Sequence, residues 1–126
     1  MPLSSAVRER CRAFLRPGEE LHYLFPATSA QVERNTLGVA SFIVAVSNRR
    51  ITVLSCGWLR RNRPTSVWAR FPRAIRLGPV DTALAPTISI GELVLEVDEE
   101  YIPVISAADA EIAEGDVLPA DPLPEL

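Results

Sequence analysis

Lysine is absent from this chain of 126 residues, and all 13 of its basic residues are arginines. Histidine occurs once, as His22, and the two cysteines, Cys11 and Cys56, lie far apart in the sequence. One histidine and two isolated cysteines do not supply the four nitrogen or sulfur ligands of a structural zinc centre. His22 would have to be the base of any Ser–His or Cys–His pair, and no G-x-S-x-G segment presents a nucleophile. We therefore expect no enzyme activity, no metal, no cofactor and no small-molecule substrate, and we place His22 on an exposed strand face.

Long apolar runs are also missing. The longest apolar stretch, Leu37–Val46, is about half of the roughly 20 residues that a helix needs to cross a bilayer. Three arginines, at positions 8, 10 and 12, lie where a secretory signal would have its apolar core. We expect a soluble cytoplasmic protein in which both cysteines are buried and reduced.

The charges are sorted along the chain. Residues 34–80 hold nine arginines and no acid, whereas residues 81–126 hold 12 of the 16 acids and no base. A formal net charge of −3 therefore conceals a basic segment followed by an acidic one, which indicates a partner surface or extensive internal pairing. We expect the strand arginines to pair internally and the loop 60–63 to stay free; these strand residues are Arg49, Arg50, Arg70 and Arg76.

The chain begins with a predicted helix and continues with predicted strands. Residues 5–15 show helical spacing of apolar residues, with Ser4 or Ser5 as the cap and Pro17-Gly18 after the end. Phe42–Val46 is apolar at every position, which is typical of a central strand covered on both faces. Ser47-Asn48-Arg49 predicts a tight turn with Asn48 at positive φ. About seven short strands are expected, over 21–25, 42–46, 50–55, 67–71, 75–77, the hairpin 87–90 and 93–97 that turns at Gly91-Glu92, and 100–105 as the last, edge strand with Pro103.

Within these strands, alternation predicts which side chains form the core. Val67, Ala69 and Phe71 should share one face, with Trp68 and Arg70 opposite. The expected core consists of Leu21, Tyr23, Phe25, Phe42, Val44, Val46, Ile51, Val53, Phe71, Ile88, Leu93, Leu95 and Val97.

The C-terminal residues predict a short helix and a tail. Ser106–Asp109 has the pattern of a capping box, which would open a helix of about eight residues that ends at Gly115. Residues 116–126 have three prolines, three acids and no aromatic residue, which is typical of an extended or disordered tail. We expect one domain over residues 1–115 followed by this tail.

Three short segments resemble bacterial pleckstrin-homology-like (PH-like) domains. They are Leu15-Arg-Pro-Gly-Glu-Glu20, Ser47-Asn-Arg-Arg-Ile51 with Val53-Leu54 beyond it, and Arg73-Ala-Ile-Arg-Leu-Gly78. The resemblance covers roughly residues 15–114. It implies a mainly β (α+β) fold, a bent sheet or roll of about seven antiparallel strands with an N-terminal helix and a short C-terminal capping helix. It also implies a protein or lipid adaptor, and many bacterial members self-associate. The loop Ala27–Ala40 has one Arg and one Glu where inositide-binding members carry a basic cluster, so specific inositide recognition is not expected.

The segment Gly57–Pro64 holds the candidate binding residues. Trp58 stands beside Arg60, Arg61 and Arg63 on a predicted loop tip. This combination suits a protein partner, an anionic membrane surface or nucleic acid. Alternatively, Trp58 folds back on the core and the arginines pair with the acidic third of the chain. We expect a non-catalytic binding or adaptor module for protein–protein interaction or self-association; the alternatives are anionic lipid binding through this loop and nucleic-acid binding through the arginine-rich strands.

Overall fold

The computed structural model describes residues 3–29, 41–56, 63–83 and 85–113. Trp58, Arg60, Arg61, Gly115 and the predicted tail 116–126 lie outside these ranges. In chain order, the described elements are α1 (Ser5–Arg12), β1 (Leu21–Ser29), β2 (Ser41–Ser47), β3 (Arg50–Cys56), β4 (Pro64–Pro72), β5 (Thr87–Ile90), β6 (Leu93–Glu96), a 3₁₀ turn (Glu99–Tyr101) and α2 (Ile102–Ala113).

The strands form one antiparallel sheet in the order β4-β3-β2-β1-β6-β5, and the sheet curls into a half-barrel. The prediction for β2 is confirmed, because all of its residues are buried and it pairs with β1 on one side and β3 on the other. Successive side chains of a strand point to opposite faces. β2 therefore supplies Val44 and Val46 to one core and Ile43 and Ala45 to a second.

The inner core lies on the concave face of the sheet. It contains most of the predicted core residues, and it is closed by Tyr101 of the 3₁₀ turn and by Ile105 and Ala108 of α2. Tyr23, Phe71 and Leu93 pack at its margin. The turn of the β5–β6 hairpin reaches β4, since a Cβ added to Gly91 would lie 3.1 Å from the ring of Phe71. This contact brings the two ends of the curled sheet together.

The outer core lies between the sheet and α1. Val7 and Cys11 of α1 pack there with Leu24 and Leu54. Leu21 joins this outer core instead of the predicted inner one, because a register shift between Leu21 and Tyr23 changes the face on which each side chain lies. Helix α1 starts as predicted, with the Ser4 hydroxyl accepting a hydrogen bond from the Val7 amide, but it ends at Arg12 rather than at position 15.

Both cysteines are free and buried in the outer core, as predicted. Burial is the main reason why the pKa of Cys11 rises to about 11, with a smaller contribution from Cys56. Burial likewise raises the pKa of Cys56 to about 11. At neutral pH both groups are therefore thiols and not reactive thiolates.

Residues 75–77 do not form the predicted fifth strand, and the described part of the sheet has six strands, not about seven. The amides of Leu77 and Gly78 donate instead to the carboxylate of Asp109 in α2, at 2.8 Å each. Asp109 is consequently not part of a capping box, and Ser106 lies inside α2. Asp109, which was predicted to help open a helix, instead holds the backbone of Leu77 and Gly78 against α2.

Residues 100–105 form the 3₁₀ turn and the first part of α2, not the predicted edge strand. Pro103 lies in the first turn of α2, where its missing amide hydrogen breaks no helical bond. Helix α2 has 12 residues, which is longer than the predicted eight. The edge strands are therefore β4 and β5.

Two turns show how side chains decide the local backbone. Gly91 has a φ of +62°, as predicted for the β5–β6 hairpin. No described residue other than glycine has positive φ, so the prediction for Asn48 is wrong. The hydroxyl of Ser47 accepts hydrogen bonds from the amides of Arg49 and Arg50, and Asn48 Oδ1 accepts one from Glu20. These bonds hold the β2–β3 turn without a left-handed residue.

Candidate interaction surface

Strand β4 is the long open edge of the described sheet. It has nine residues and pairs only with β3, whereas β5 has four and its first residue exchanges two backbone hydrogen bonds with Asp81. Pro64 and Pro72 occupy the ends of β4, and its register with β3 is irregular at two places. Proline and bulges protect edge strands against the addition of another strand. The side chains of β4, more than its backbone, are therefore the groups available to a partner.

Trp68 is the one large hydrophobic side chain that the described residues expose, at 59%. Val53 pairs with Ala69 and Leu54 with Val67, so Trp68 is the extra residue of a bulge. The bulge sends Val67 to the outer core and leaves Phe71 at the inner one, so Val67 and Phe71 do not share the predicted common face. The Trp68 ring stands edge-on to Phe42, with the centroids 5.6 Å apart.

Two arginines flank Trp68 along the strand. Arg63 is exposed directly before β4, and Arg70 is exposed two residues after Trp68. Arg70 Nη2 donates to the backbone oxygen of Phe14 at 3.4 Å. Neither arginine forms an ion pair with any carboxylate that the structure describes. We call Arg63, Trp68 and Arg70 the basic edge. Of the four predicted site residues, the structure describes only Arg63. Trp68 is an additional site residue, for which the alternation of the strand predicts only a position opposite the core.

The expectation that the strand arginines pair internally is confirmed for Arg50 and not for the other three. Arg50 pairs with Glu19 near the N-terminus, with Nε 3.3 Å from Oε2. Arg49 and Arg76, like Arg70, have no ion pair within the described ranges. Arg73, for which no pairing was predicted, is the one described arginine that contacts an acid of the C-terminal third, Glu111, at 3.1 Å.

A groove of about 540 Å³ lies beside the N-terminus of α1. Leu3, Val7 and Pro26 contribute apolar lining, and Glu96 and Asp98 contribute acids. Both acids are exposed, and neither forms an ion pair with a described arginine. We call this site the acidic groove; its other lining residues are Ser4, Ala27, Thr28, Ser41, Phe42, Val97, Glu100 and Tyr101. Its composition suits a ligand that has both apolar and basic groups.

His22 is part of a hydrogen-bonded cluster, contrary to its predicted exposed position. Its Nδ1 lies 2.9 Å from Glu111 Oε1, and its side chain is 28% exposed. Tyr23 Oη donates to Glu111 Oε2 at 3.1 Å, and Arg73, which is 1% exposed, donates to Glu111 Oε1 and to the Ala108 oxygen. Burial alone would raise the pKa of Glu111, but the hydrogen bonds from His22, Arg73 and Tyr23 together hold that pKa below its ordinary value.

This cluster joins α2 to β1 and to the residues after β4. The second ring nitrogen of His22, Nε2, lies 3.6 Å from Glu20. Both ring nitrogens thus face carboxylates, which is unlike a catalytic pair, where one nitrogen faces a nucleophilic hydroxyl or thiol. We assign the cluster a role in the stability of the fold.

Across residues 3–29, 41–56, 63–83 and 85–113, no three or more His, Cys, Asp or Glu side chains come together as a metal site would require. No helix in the same ranges has both the length and the apolar character for crossing a bilayer. Comparison with protein-family models, with curated proteins and with solved structures finds no match to this chain.

Proposed function

We propose that this chain is a non-catalytic binding module of the cytoplasm that uses its basic edge to bind an acidic surface of a partner protein. The proposal includes a PH-like architecture for the curled sheet and its C-terminal helix. The packing of Ile105 and Ala108 of α2, and of Tyr101 directly before that helix, in the inner core supports that architecture. β4 is the outer strand at one edge of this sheet.

The exposure of Trp68 between two arginines without carboxylate partners carries the proposal. A Trp side chain buries about 150–250 Å² in a core or interface, and 59% of Trp68 is in contact with water. Covering that surface would contribute roughly 2–4 kcal/mol at about 25 cal/mol per Å². Trp and Arg are also the residues that most often dominate protein interfaces. Arg63 and Arg70 would add charge complementarity to an acidic partner.

Anionic membrane binding is the second candidate, because a tryptophan beside arginines also suits a lipid headgroup region. The position of Trp68 favours a protein. It lies within a strand and packs edge-on against Phe42, whereas insertion into a bilayer requires an apolar side chain that projects from the surface. Nucleic acid is a third possibility, but two arginines on one edge supply few of the phosphate contacts on which such binding depends.

Fluorescence of Trp68 tests the proposal. The chain has two tryptophans, so a Trp58→Phe background leaves Trp68 as the only reporter. Three anionic probes are titrated separately, namely a peptide of alternating Glu and Val, vesicles containing phosphatidylglycerol, and a single-stranded oligonucleotide. We expect a saturable blue shift with the peptide that disappears in Arg63→Glu/Arg70→Glu.

The double change Arg10→Glu/Arg49→Glu is the matched control. It reverses the same number of exposed charges at residues outside the basic edge and should leave the peptide response unchanged. A response to vesicles or to the oligonucleotide alone would replace the protein-binding proposal with the corresponding alternative. No response to any of the three probes would refute binding of anionic partners by the basic edge.

A further inference from the structure

The folded chain carries two surfaces of opposite charge that do not neutralise each other. The basic edge lies on and beside β4, and the acidic groove has Glu96 on β6 and Asp98 just after it. Three strands separate β4 from β6 in the sheet, and Phe42, which lines the groove, packs against Trp68. Among the residues that the structure describes, only Arg73 and Glu111 join an arginine of residues 34–80 to an acid of residues 81–126. Both surfaces therefore retain their charge in the folded protein.

We propose that the partner is a second copy of this chain, with the basic edge of one copy seated in the acidic groove of the other. This inference rests on the proposed function, because it uses the same basic edge and names its partner. It adds a second site, the acidic groove, and assigns to it a ligand that contains Trp68 and the arginines beside it.

The acidic groove offers apolar and negatively charged groups, and the basic edge offers an aromatic ring and positively charged groups. The groove provides apolar lining from Leu3, Val7 and Pro26, which suits an aromatic ring. Its volume of about 540 Å³ lies within the range of roughly 300–1,000 Å³ that is typical of ligand sites. Glu96 and Asp98 are exposed carboxylates beside that lining, where the arginines on either side of a tryptophan packed against the groove would meet them. Interfaces are enriched in Trp and Arg in this arrangement, with an apolar centre and a polar rim.

Charge complementarity within a single sequence favours a second copy over an unrelated protein. Every copy has one basic edge and one acidic groove, so each contact between copies neutralises one surface of each. If the two contacts form simultaneously about a two-fold axis, a closed dimer results, and if they form one at a time, the assembly extends. Both geometries bury the same charged surfaces, and the mass of the assembly identifies which one forms.

Complementary charge reversals test the inference on the full chain. One variant carries Arg63→Glu/Arg70→Glu, and the other carries Glu96→Arg/Asp98→Arg. Each variant alone presents two surfaces of like charge, so we expect its self-association to weaken by about 100-fold. An equimolar mixture again offers opposite charges at both contacts, so sedimentation velocity should show that the mixture assembles whereas either variant alone does not. Recovery in the mixture would also show that both variants are folded.

The controls separate this inference from the function on which it rests. The double change Arg10→Glu/Arg49→Glu should self-associate as the unaltered protein does. If the unaltered protein binds the acidic peptide but stays at 13.8 kDa up to millimolar concentration, the partner is not a second copy and the proposed function stands. If each variant alone assembles as the unaltered protein does, the copies associate through other surfaces. If neither peptide binding nor assembly occurs, both proposals are wrong.

Discussion

Replacing Asp109 with alanine should unfold much of the segment that joins β4 to β5, because this carboxylate is the main acceptor for its backbone. Asp109 is 7% exposed in α2, and its two oxygens accept the amides of Leu77 and Gly78 at 2.8 Å each. The adjacent Leu77 side chain is 1% exposed in the inner core. The segment therefore has no equally good alternative position for these amides near α2.

The magnitude follows from the two bonds. A hydrogen bond to a charged group contributes about 1.5–3 kcal/mol, and a buried amide left without an acceptor costs a similar amount. Leu77 is buried, but Gly78 is half-buried and water can replace part of its lost bond. We therefore expect Asp109→Ala to lower the free energy of unfolding by about 3–5 kcal/mol, a large part of the roughly 5–15 kcal/mol of an ordinary domain. Asp109→Asn keeps one acceptor and should lose about 2 kcal/mol.

Urea unfolding followed by circular dichroism measures both changes. Glu99→Ala is the matched control, because Glu99 is an exposed acid in the turn before α2 and should cost within about 0.5 kcal/mol. A loss below about 1 kcal/mol for Asp109→Ala would refute the reasoning, since the two amides would then be satisfied without the carboxylate.

Three further predictions concern the turn, the central strand and the pH dependence of stability. Gly91→Ala should lower the melting temperature through a cost of about 1–2 kcal/mol, because the residue has positive φ and its new Cβ would lie 3.1 Å from Phe71; an unchanged melting temperature would contradict the turn geometry. Val44→Ala removes two methyl groups from a side chain with no exposure and should cost about 2–3 kcal/mol in urea unfolding, whereas a cost near zero would place Val44 outside the core. The pKa of Glu111 is lowered in the folded protein, so its contribution is present above the ordinary carboxyl pKa and is lost as the pH falls through the folded pKa. The stability difference between the unaltered protein and Glu111→Gln should accordingly shrink from about pH 5 downward, and a difference that grew on acidification would show the opposite shift.

The parts of the fold that depend on local pattern are predictable from the sequence. The uniform apolar run of β2 and the glycine at the β5–β6 turn each have one physically reasonable structure. The first turn of α2 does not, because the β-branched Ile102 and Val104 favour a strand, whereas Pro103 is compatible with the first turn of a helix. Burial of the neighbouring Tyr101 and Ile105 in the inner core provides tertiary contacts that override this preference.

The candidate site is predictable only in part for a related reason. Alternation along β4 identifies Trp68 as pointing away from the core, but the bulge that exposes it is set by pairing with β3. Which arginines find carboxylates depends on contacts that are distant in the sequence. Arg73 meets Glu111, 38 residues later, through the packing of α2, and no charge pattern distinguishes Arg73 from Arg70 or Arg76.

The dependence of the assembly mass on protein and salt concentration tests the central claim most directly. Sedimentation equilibrium of the unaltered full chain at low ionic strength should give a mass of at least two copies of 13.8 kDa that falls toward one copy on dilution. Added salt should shift the equilibrium toward single copies, because the contacts pair exposed charges and screening weakens such pairs. A mass of 13.8 kDa at every protein concentration and at low salt, or an assembly that salt does not weaken, would contradict association between the basic edge and the acidic groove.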